Sequence, residues 1–291
     1  MEMDRRGPRR RIMRFLAVGM AVLMLTAAYL LALSRFHVSE VPSERNFAAA
    51  DAAEPAGEVY LEPLSIDALD DAMRIRAYLM PVSSASKDTY AAPGRDLTAF
   101  ITHDNTVEEV KLMAADHVAT STFEVDLNEG SVSHYPLDSY AAELAVDLMD
   151  AKSSQKVPVQ VTVWEGVLGY RLHTTAETAA GPHAAGITIA VRRSGAFALF
   201  ALCAYGAMVV LGFSALAIGI LVFAEMRQVD ATLIGALAAI AFALPALRDA
   251  LPGSPPLGVQ ADVWVFLWAE LAVVLALGLV VFQWATAGPH P

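Results

Sequence analysis

The sequence predicts a mixed membrane protein, in which an antiparallel β-sandwich lies outside the membrane and four transmembrane α-helices hold it there. Two observations support this fold class. Four apolar runs, one near the start and three in the last third of the 291 residues, approach the roughly 20 residues that a bilayer requires. The stretch between them consists of short segments of the kind that form strands.

Composition and charge also point to two environments. The mean hydropathy of +0.46 is high for a soluble protein, whereas 18% charged residues is high for a fully embedded one. Residues 34–195 hold 12 Lys and Arg against 24 Asp and Glu, so the acidity lies in the middle. Such a surface repels nucleic acid and anionic lipid headgroups, and we expect neither as its partner.

The first predicted span, residues 15–33, follows a cytoplasmic N-terminus, residues 1–14, that contains six arginines. By the positive-inside rule these arginines keep the N-terminus inside and place residues 34–195 outside. A cleaved signal peptide is the alternative, because Ala32-Leu33-Ser34 resembles a cleavage site. The 19-residue run exceeds a usual signal core, which favours an uncleaved anchor.

Residues 34–57 are predicted to form a flexible linker, because they are rich in Ala, Glu, Pro and Ser and have no apolar period. Residues 58–195 then form the outer domain. This domain has no disulfide and must rely on its hydrophobic core, since the only cysteine of the sequence, Cys203, lies in the second span.

The outer domain is predicted to be a β-sandwich of the immunoglobulin-like type, because seven to nine short strands follow one another with turn signals between them. The predicted strands are 59–66, 73–82, 97–102, 107–113, 122–127, 140–148, 157–164, 170–175 and 187–192. Residues 140–149 also fit a helical period, and that alternative stays open here.

Three further spans follow, and their order fixes the rest of the topology. They cover residues 196–224, 231–247 and 263–285, with a cytoplasmic tail at 286–291. The connection after the second span is then cytoplasmic and the one after the third is outside. Arg192 and Arg193 oppose this orientation, but the six N-terminal arginines should prevail.

Two polar residues are predicted inside the membrane. Glu270 lies seven residues past Val263, about 10 Å into the outer half at the helical rise. A carboxyl at that depth should face protein, and Tyr205, entering at a similar depth, could donate to it. Two interpretations stay open for Glu270: a neutral group hydrogen-bonded to a neighbouring helix, or a proton or ligand site.

Small residues recur every four positions in the third span, at Gly235, Ala239 and Ala243, with smaller groups around Gly212 and Gly219. Small side chains let helices approach closely. We expect the face formed by Gly235, Ala239 and Ala243 to pack against a partner helix.

Sequence motifs of the common enzyme classes are missing. The sequence has no nucleophile elbow, phosphate-binding loop, dinucleotide fingerprint or zinc-protease motif. Its histidines lack metal-ligand spacing, and the acidic cluster at 67–71 lacks a calcium loop. We therefore expect no catalytic residues, no cofactor and no metal.

The sharpest motif of the outer domain is the loop with Tyr135, Pro136, Asp138 and Tyr140. Pro136 fixes its own φ, Asp138 can bond nearby backbone N–H groups, and the two tyrosine rings can cover the core. A rigid structural loop between strands is the predicted role. A partner-binding loop is the alternative.

This Tyr-Pro-x-Asp-x-Tyr loop, the strand around Val157-Pro158-Val159, the strand 187–193 and the three spans directly after it resemble an uncharacterised family of membrane proteins. The family occurs in actinobacteria and fungi, has one N-terminal and three C-terminal spans, and would cover residues 15–285. For mycobacterial relatives, the resemblance implies an accessory subunit of multi-subunit lipid importers of the mammalian-cell-entry (Mce) type.

The same loop also resembles that of pentameric ligand-gated channels, which place an aromatic-Pro-x-Asp loop on a β-sandwich and end its last strand in arginine. The chain departs from them because it lacks a flanking cysteine pair, has a span before the domain, and has only three after it. The third span offers Thr232 as its one polar side chain, unlike a wet pore. The leading hypothesis is a non-enzymatic accessory or scaffold subunit of the plasma membrane that binds other membrane subunits. A channel-like or receptor-like protein is the alternative.

Overall fold

We describe a computed structural model of the chain over residues 43–48, 55–81, 95–177, 184–227 and 230–286, together with scattered positions between 19 and 34. The chain divides into two compact units, residues 1–41 and 42–291. In the first unit the described positions are helical and exposed. The rest of the first predicted span, the N-terminus 1–14 and the tail beyond residue 286 lie outside the described residues.

Twelve strands form two sheets in the second unit. In chain order they are β1 Glu44–Ala48, β2 Gly57–Asp67, β3 Ala72–Pro81, β4 Leu97–His103, β5 Thr106–Leu112, β6 Ala119–Asp126, β7 Ser139–Asp150, β8 Gln155–Val157, β9 Val159–Trp164, β10 Gly166–Val167, β11 Tyr170–Glu177 and β12 Ala185–Arg193. One sheet has the order β1-β9-β2-β3-β6, and the other β10-β11-β12-β7-β4-β5, with β8 paired to β7.

Alternating burial along the strands explains how the sheets pack. In β3, Met73, Ile75, Ala77 and Leu79 are buried, and the residues between them are more exposed. Successive side chains of a strand point to opposite faces, so each sheet turns one apolar face inward. The two inner faces form one continuous apolar core, with members from both sheets. The described domain is therefore sandwich-like, as the alternation predicts.

All the strand pairs are antiparallel except β2 with β9, which runs parallel from Gly57 opposite Val159 to Leu61 opposite Val163. The purely antiparallel prediction is wrong at this pair. The nine predicted strands all occur, and the helical alternative for 140–149 is wrong, because β7 pairs with both β12 and β4 along most of its length. Its inward positions are apolar at a period of two, which decides between the two readings.

The predicted linker is also wrong in part, because strand β1 lies inside it. Glu44–Ala48 pairs with β9 in register from Glu44 opposite Trp164 to Ala48 opposite Gln160. Arg45 forms an ion pair with Glu165 at 3.2 Å, and the Ser43 hydroxyl donates to the same carboxylate. Backbone pairing and these polar contacts hold β1 at the edge of the sheet. Its sequence lacks the alternation of apolar and polar residues that predicts a strand.

Three helices follow the sheets. They are α1 Gly195–Phe223, α2 Ala231–Asp249 and α3 Leu267–Thr286, the last preceded by a π-helical segment, Asp262–Phe266. Ser194 and Asp230 cap the first two by accepting hydrogen bonds from the backbone N–H groups of Phe197 and Thr232. The three are long and apolar enough to cross a membrane, which indicates membrane association.

Helices α1 and α3 pack closely through glycine. A Cβ added to Gly212 would lie 3.0 Å from Cα of Ala269, and one added to Gly219 would lie 2.7 Å from Cα of Ala276. These small residues bring the two backbones into contact, as small residues do in membrane helix pairs.

Candidate functional site at the junction of sheets and helices

Three chain segments meet where the sheets end and the helices begin. They are the β6–β7 loop, the end of β12 and the α2–α3 connection. The β6–β7 loop contains a short 3₁₀ turn, Val132–His134, and the cis peptide bond between Tyr135 and Pro136. We call the contact region of Tyr135, Asp138, Arg193 and Pro252 the junction.

Asp138 and Arg193 form a buried ion pair in the junction. Nε of Arg193 donates to both carboxylate oxygens of Asp138, at 2.7 and 2.9 Å, and the side chains are 3% and 0% exposed, arginine first. The Tyr140 hydroxyl donates to the same carboxylate at 3.0 Å. Ions removed from water require such partners, because an unpaired buried charge is very costly. The pair therefore fixes the loop to the last strand just before α1 begins.

Two tyrosine rings cover the buried guanidinium. Cζ of Arg193 lies 4.7 Å from the ring centroid of Tyr135 and 5.2 Å from that of Tyr170. Both distances are within the range of cation–π attraction. Tyr170, at the start of β11, thus lies with Tyr135 of the loop against one cation.

Tyr135 also links the loop to the helices. Its hydroxyl donates to the carbonyl oxygen of Pro252 at 2.9 Å. Gly253 follows with φ +74, and a Cβ at this position would lie 2.5 Å from Nη1 of Arg193. Only glycine combines that φ with that close approach at little cost. The α2–α3 connection is thereby held against the ion pair of the domain.

A second buried ion pair closes the α2–α3 connection. Nη2 of Arg248 donates to Oδ2 of Asp262 at 2.8 Å, and the side chains are 7% and 6% exposed. The same nitrogen donates to the carbonyl oxygens of Pro255 and Pro256, at 2.9 and 2.7 Å. The backbone N–H of Gly258 donates to Asp262 at 3.2 Å. One arginine and one aspartate therefore tie the connection at both of its ends.

Tyr205 of α1 joins this second pair. Its hydroxyl donates to Oδ1 of Asp262 at 2.9 Å. The predicted hydrogen bond from Tyr205 to Glu270 is therefore wrong. The physical reason is direction: a helical side chain leans toward the N-terminus of its helix, and that end of α1 is the end at which α3 begins. Tyr205 consequently reaches Asp262 at the start of the π-helical segment, eight residues before Glu270.

Glu270 stands apart from the junction. It is half-buried, and its Oε2 is buried without a hydrogen-bond partner among the described residues. Both interpretations offered for this carboxyl, structural or functional, stay predictions.

The tyrosines of the junction remain protonated at neutral pH. Burial raises the pKa of Tyr135 to about 12, although the nearby Arg193 cation opposes the rise. Burial also raises the pKa of Tyr140, and the adjacent Asp138 carboxylate adds to it. Both hydroxyls can therefore act as donors, as the observed hydrogen bonds require.

The four loop residues chosen from the sequence come together, but no described residue packs closely against the small-residue face of α2. Gly235, Ala239 and Ala243 are exposed on α2, and a Cβ at Gly235 would meet no atom within 4 Å. Among the described residues this face is open, and its packing against a partner helix stays a prediction.

Sequence reasoning missed Tyr170, Arg248, Pro252 and Asp262. A signal for two of them existed, because Arg248 and Asp262 are opposite charges at the two ends of a Pro- and Gly-rich connection between apolar spans. Arg193 was noted only as an exception to the positive-inside rule. Its ion pair with Asp138 neutralises it, which explains why an arginine is tolerated there.

The charged side chains of the junction hold segments of the chain together. Within the described residues, no group of three or more His, Cys, Asp and Glu side chains is placed to hold a metal ion. The charged groups of the junction are instead engaged with one another, and the arrangement locks a loop of the sheets to a loop of the helices.

Comparison with known families divides the chain at this junction. Residues 47–191 match the family model described as Domain of unknown function (DUF4436), and residues 193–287 match Domain of unknown function (DUF8686). A search of curated proteins gave no match. The expected resemblance to an uncharacterised family is confirmed to this extent: the sheets and the helices each match a family of unknown function, with the boundary at the end of β12.

Proposed function

We propose that the chain is a non-enzymatic accessory or scaffold subunit of a larger membrane complex. The observation that carries this proposal is the junction, where the hydroxyl of Tyr135 in the outer domain donates to Pro252 of the α2–α3 connection. A buried ion pair orders the chain on each side of this bond, Asp138 with Arg193 in the domain and Arg248 with Asp262 in the connection. Buried ion pairs contribute little net stability, and their best-attested use is to specify one arrangement. A domain held in one orientation above its membrane helices is suited to positioning other subunits.

The open face of α2 supplies a surface for such a subunit. Gly235, Ala239 and Ala243 are exposed along one side of the helix, although small residues are the ones that allow close helix contacts. Within the chain that role belongs to Gly212 and Gly219, which face α3. The α2 face is therefore available to a helix of a partner, and the outer domain offers a second surface.

The proposed location is the plasma membrane, with four spans, both termini in the cytoplasm and residues 34–195 outside. The six arginines before the first predicted span support this orientation. The partner that the resemblance to actinobacterial proteins suggests is the permease part of a lipid importer of the mammalian-cell-entry type. In that setting the chain would assist fatty acid uptake without performing chemistry itself.

Purification at native expression in mild detergent, followed by mass spectrometry, tests the proposal. We expect another integral membrane protein to be recovered in a fixed ratio, and Ala239→Leu on the open face to reduce that recovery. Gly278→Leu is the matched control, because it places the same side chain at another small, open position, on α3. Recovery of the chain alone would contradict the proposal.

A second candidate is a channel-like or receptor-like protein with a ligand-binding β-sandwich. The observation that favours it is the direct bond from Tyr135 of the domain loop to Pro252 of the α2–α3 connection. Such a contact would pass a displacement of the sheets to the helices. Ion flux across liposomes that contain only this chain supports this candidate, and its absence in the presence of candidate ligands counts against it.

A further inference from the structure

A cavity of about 410 Å³ lies beside the junction, between the two sheets' loops and the α2–α3 connection. Its volume is within the range of small-ligand pockets. Most of its lining is apolar, and this part of the wall includes Ala68, Leu69, Leu168, Phe197 and Pro256.

The cavity wall also carries one residue of each charge. Arg193 lines it, and although Nε of this arginine is bound to Asp138, the buried Nη1 has no hydrogen-bond partner among the described residues. A buried donor without a partner is costly, so an acceptor that reaches it from the cavity would be stabilised. Asp67 lines the same cavity on an exposed turn, where its Oδ1 accepts from the backbone N–H of Leu69.

The helix lengths place the cavity at the level of lipid headgroups. Tyr205 of α1 bonds to Asp262, the first residue of the π-helical segment that leads into α3. Helix α2, with 19 residues, is about 28 Å long, close to the ~30 Å hydrocarbon layer. Phe197, which lines the cavity, lies eight residues before Tyr205, or about 12 Å further out along α1. That distance leaves the hydrocarbon and enters the headgroup layer.

Exposed leucines surround this level on the side of the sheets. Leu69 is 59% exposed and Leu168 is 88% exposed, each at a turn between strands, and both line the cavity. Apolar side chains at loop tips beside a membrane helix are suited to the boundary between headgroups and acyl chains. A lipid could reach the cavity past these two residues.

We infer that the cavity binds the headgroup of a zwitterionic phospholipid. The phosphate oxygens accept hydrogen bonds from Arg193, the ammonium lies toward Asp67, and the apolar wall contacts the glycerol and the upper acyl chain. A purely anionic headgroup fits less well, because Asp138 already neutralises Arg193 and Asp67 adds a negative charge. The site does not depend on the proposed partner subunit.

Photo-cross-linking of the full chain in phosphatidylcholine vesicles tests the inference. The probes are phosphatidylethanolamine and phosphatidylglycerol, each with a diazirine near the start of one acyl chain. We expect phosphatidylethanolamine to label peptides that contain residues 66–69, 168–170 or 253–256, and to do so more than phosphatidylglycerol. Asp67→Asn, which keeps the turn's acceptor, should remove the difference between the two lipids.

Paired leucine variants provide the matched control. Leu69→Glu with Leu168→Glu places charge at the cavity mouth and should lower labelling about tenfold, as a loss of about 1.4 kcal/mol would. Leu137→Glu with Leu257→Glu changes two leucines that are 71% and 79% exposed but do not line the cavity, and should leave labelling unchanged. Equal loss in both pairs, equal labelling by both lipids, or full competition by millimolar soluble phosphoethanolamine would overturn the lipid site.

Discussion

Asp138 and Arg193 form an ion pair with two hydrogen bonds at the end of β12, just before helix α1 begins. Asp138 comes from the loop that the sequence marks most strongly, and Arg193 begins the second of the two family matches. Residues of the two matched regions thus meet in one buried contact, and the following predictions start from it.

Removing one charge of this pair should strongly destabilise the chain. Asp138→Asn keeps the size of the side chain but leaves a buried guanidinium without its counter-ion, which costs about 3–5 kcal/mol. Denaturant unfolding in detergent measures the free energy. The matched control is Glu124→Gln, which breaks an exposed pair with Arg74 at 2.6 Å and should cost no more than about 1 kcal/mol. If both variants lost the same free energy of unfolding, burial would not be what makes the Asp138–Arg193 pair costly to break.

Tyr135→Phe should loosen the α2–α3 connection while leaving the outer domain folded. The phenylalanine ring keeps its contact with Arg193 but loses the hydrogen bond to Pro252, worth about 1 kcal/mol. Hydrogen exchange should become faster in peptides covering residues 253–258. Tyr60→Phe, which removes an exposed hydroxyl bond at 3.4 Å to Glu44, should leave those peptides unchanged. Unaltered exchange in Tyr135→Phe would show that the bond does not hold the connection.

Alkaline pH should weaken the junction through Tyr135. Burial raises its pKa to about 12, above the unfolded value of 10.0, so the folded chain keeps this proton longer than the unfolded chain does. The contribution of the protonated Tyr135 to the free energy of unfolding is fully present below pH 10 and is lost as the pH rises to about 12. The total loss is about 3 kcal/mol. Between pH 9 and 12, the free energy of unfolding should therefore fall less steeply in Tyr135→Phe than in the unchanged chain. Parallel curves for the two proteins would refute the assignment.

Two glycine-to-alanine changes should have opposite effects on the helices. Gly219→Ala adds a Cβ 2.7 Å from Cα of Ala276, so α1 and α3 must separate, at a cost of about 1–3 kcal/mol. Gly235→Ala meets no atom within 4 Å and should be neutral or stabilise α2 by up to about 1 kcal/mol, because alanine favours helix. Thermal unfolding in detergent compares them. A loss at Gly235 in the purified chain would mean that the α2 face is not open.

Much of the fold could be predicted because its signals are local. The nine strands are short segments rich in strand-forming residues between turn signals, several of them alternating with a period of two, and the three spans after the domain are long apolar runs. Each element is therefore visible in its own residues. Strand β1 could not be predicted, because its partner β9 lies more than a hundred residues away and, among the β1 residues whose side chains are described, Phe47 alone packs against the core. The parallel pairing of β2 with β9 is equally non-local.

The candidate site could be predicted in part for the same reason. Tyr135, Pro136, Asp138 and Tyr140 are adjacent and form a visible motif, but Arg193 lies 55 residues after Asp138 and Pro252 lies 117 after Tyr135. Tyr205 and Glu270 lie at similar depths along their helices, which alone predicts a bond between them, but depth does not specify where a side chain points. The direction of the tyrosine places it on Asp262 instead.

The mass and composition of the native complex test the central claim most directly. Membranes from native expression, solubilised in mild detergent, can be resolved by native electrophoresis and the subunits identified by mass spectrometry. The scaffold proposal predicts a particle well above the 31.0 kDa of one chain that contains at least one other membrane protein and loses it in Ala239→Leu. A particle made of this chain alone, whether a monomer or a ring of copies, would contradict the proposal.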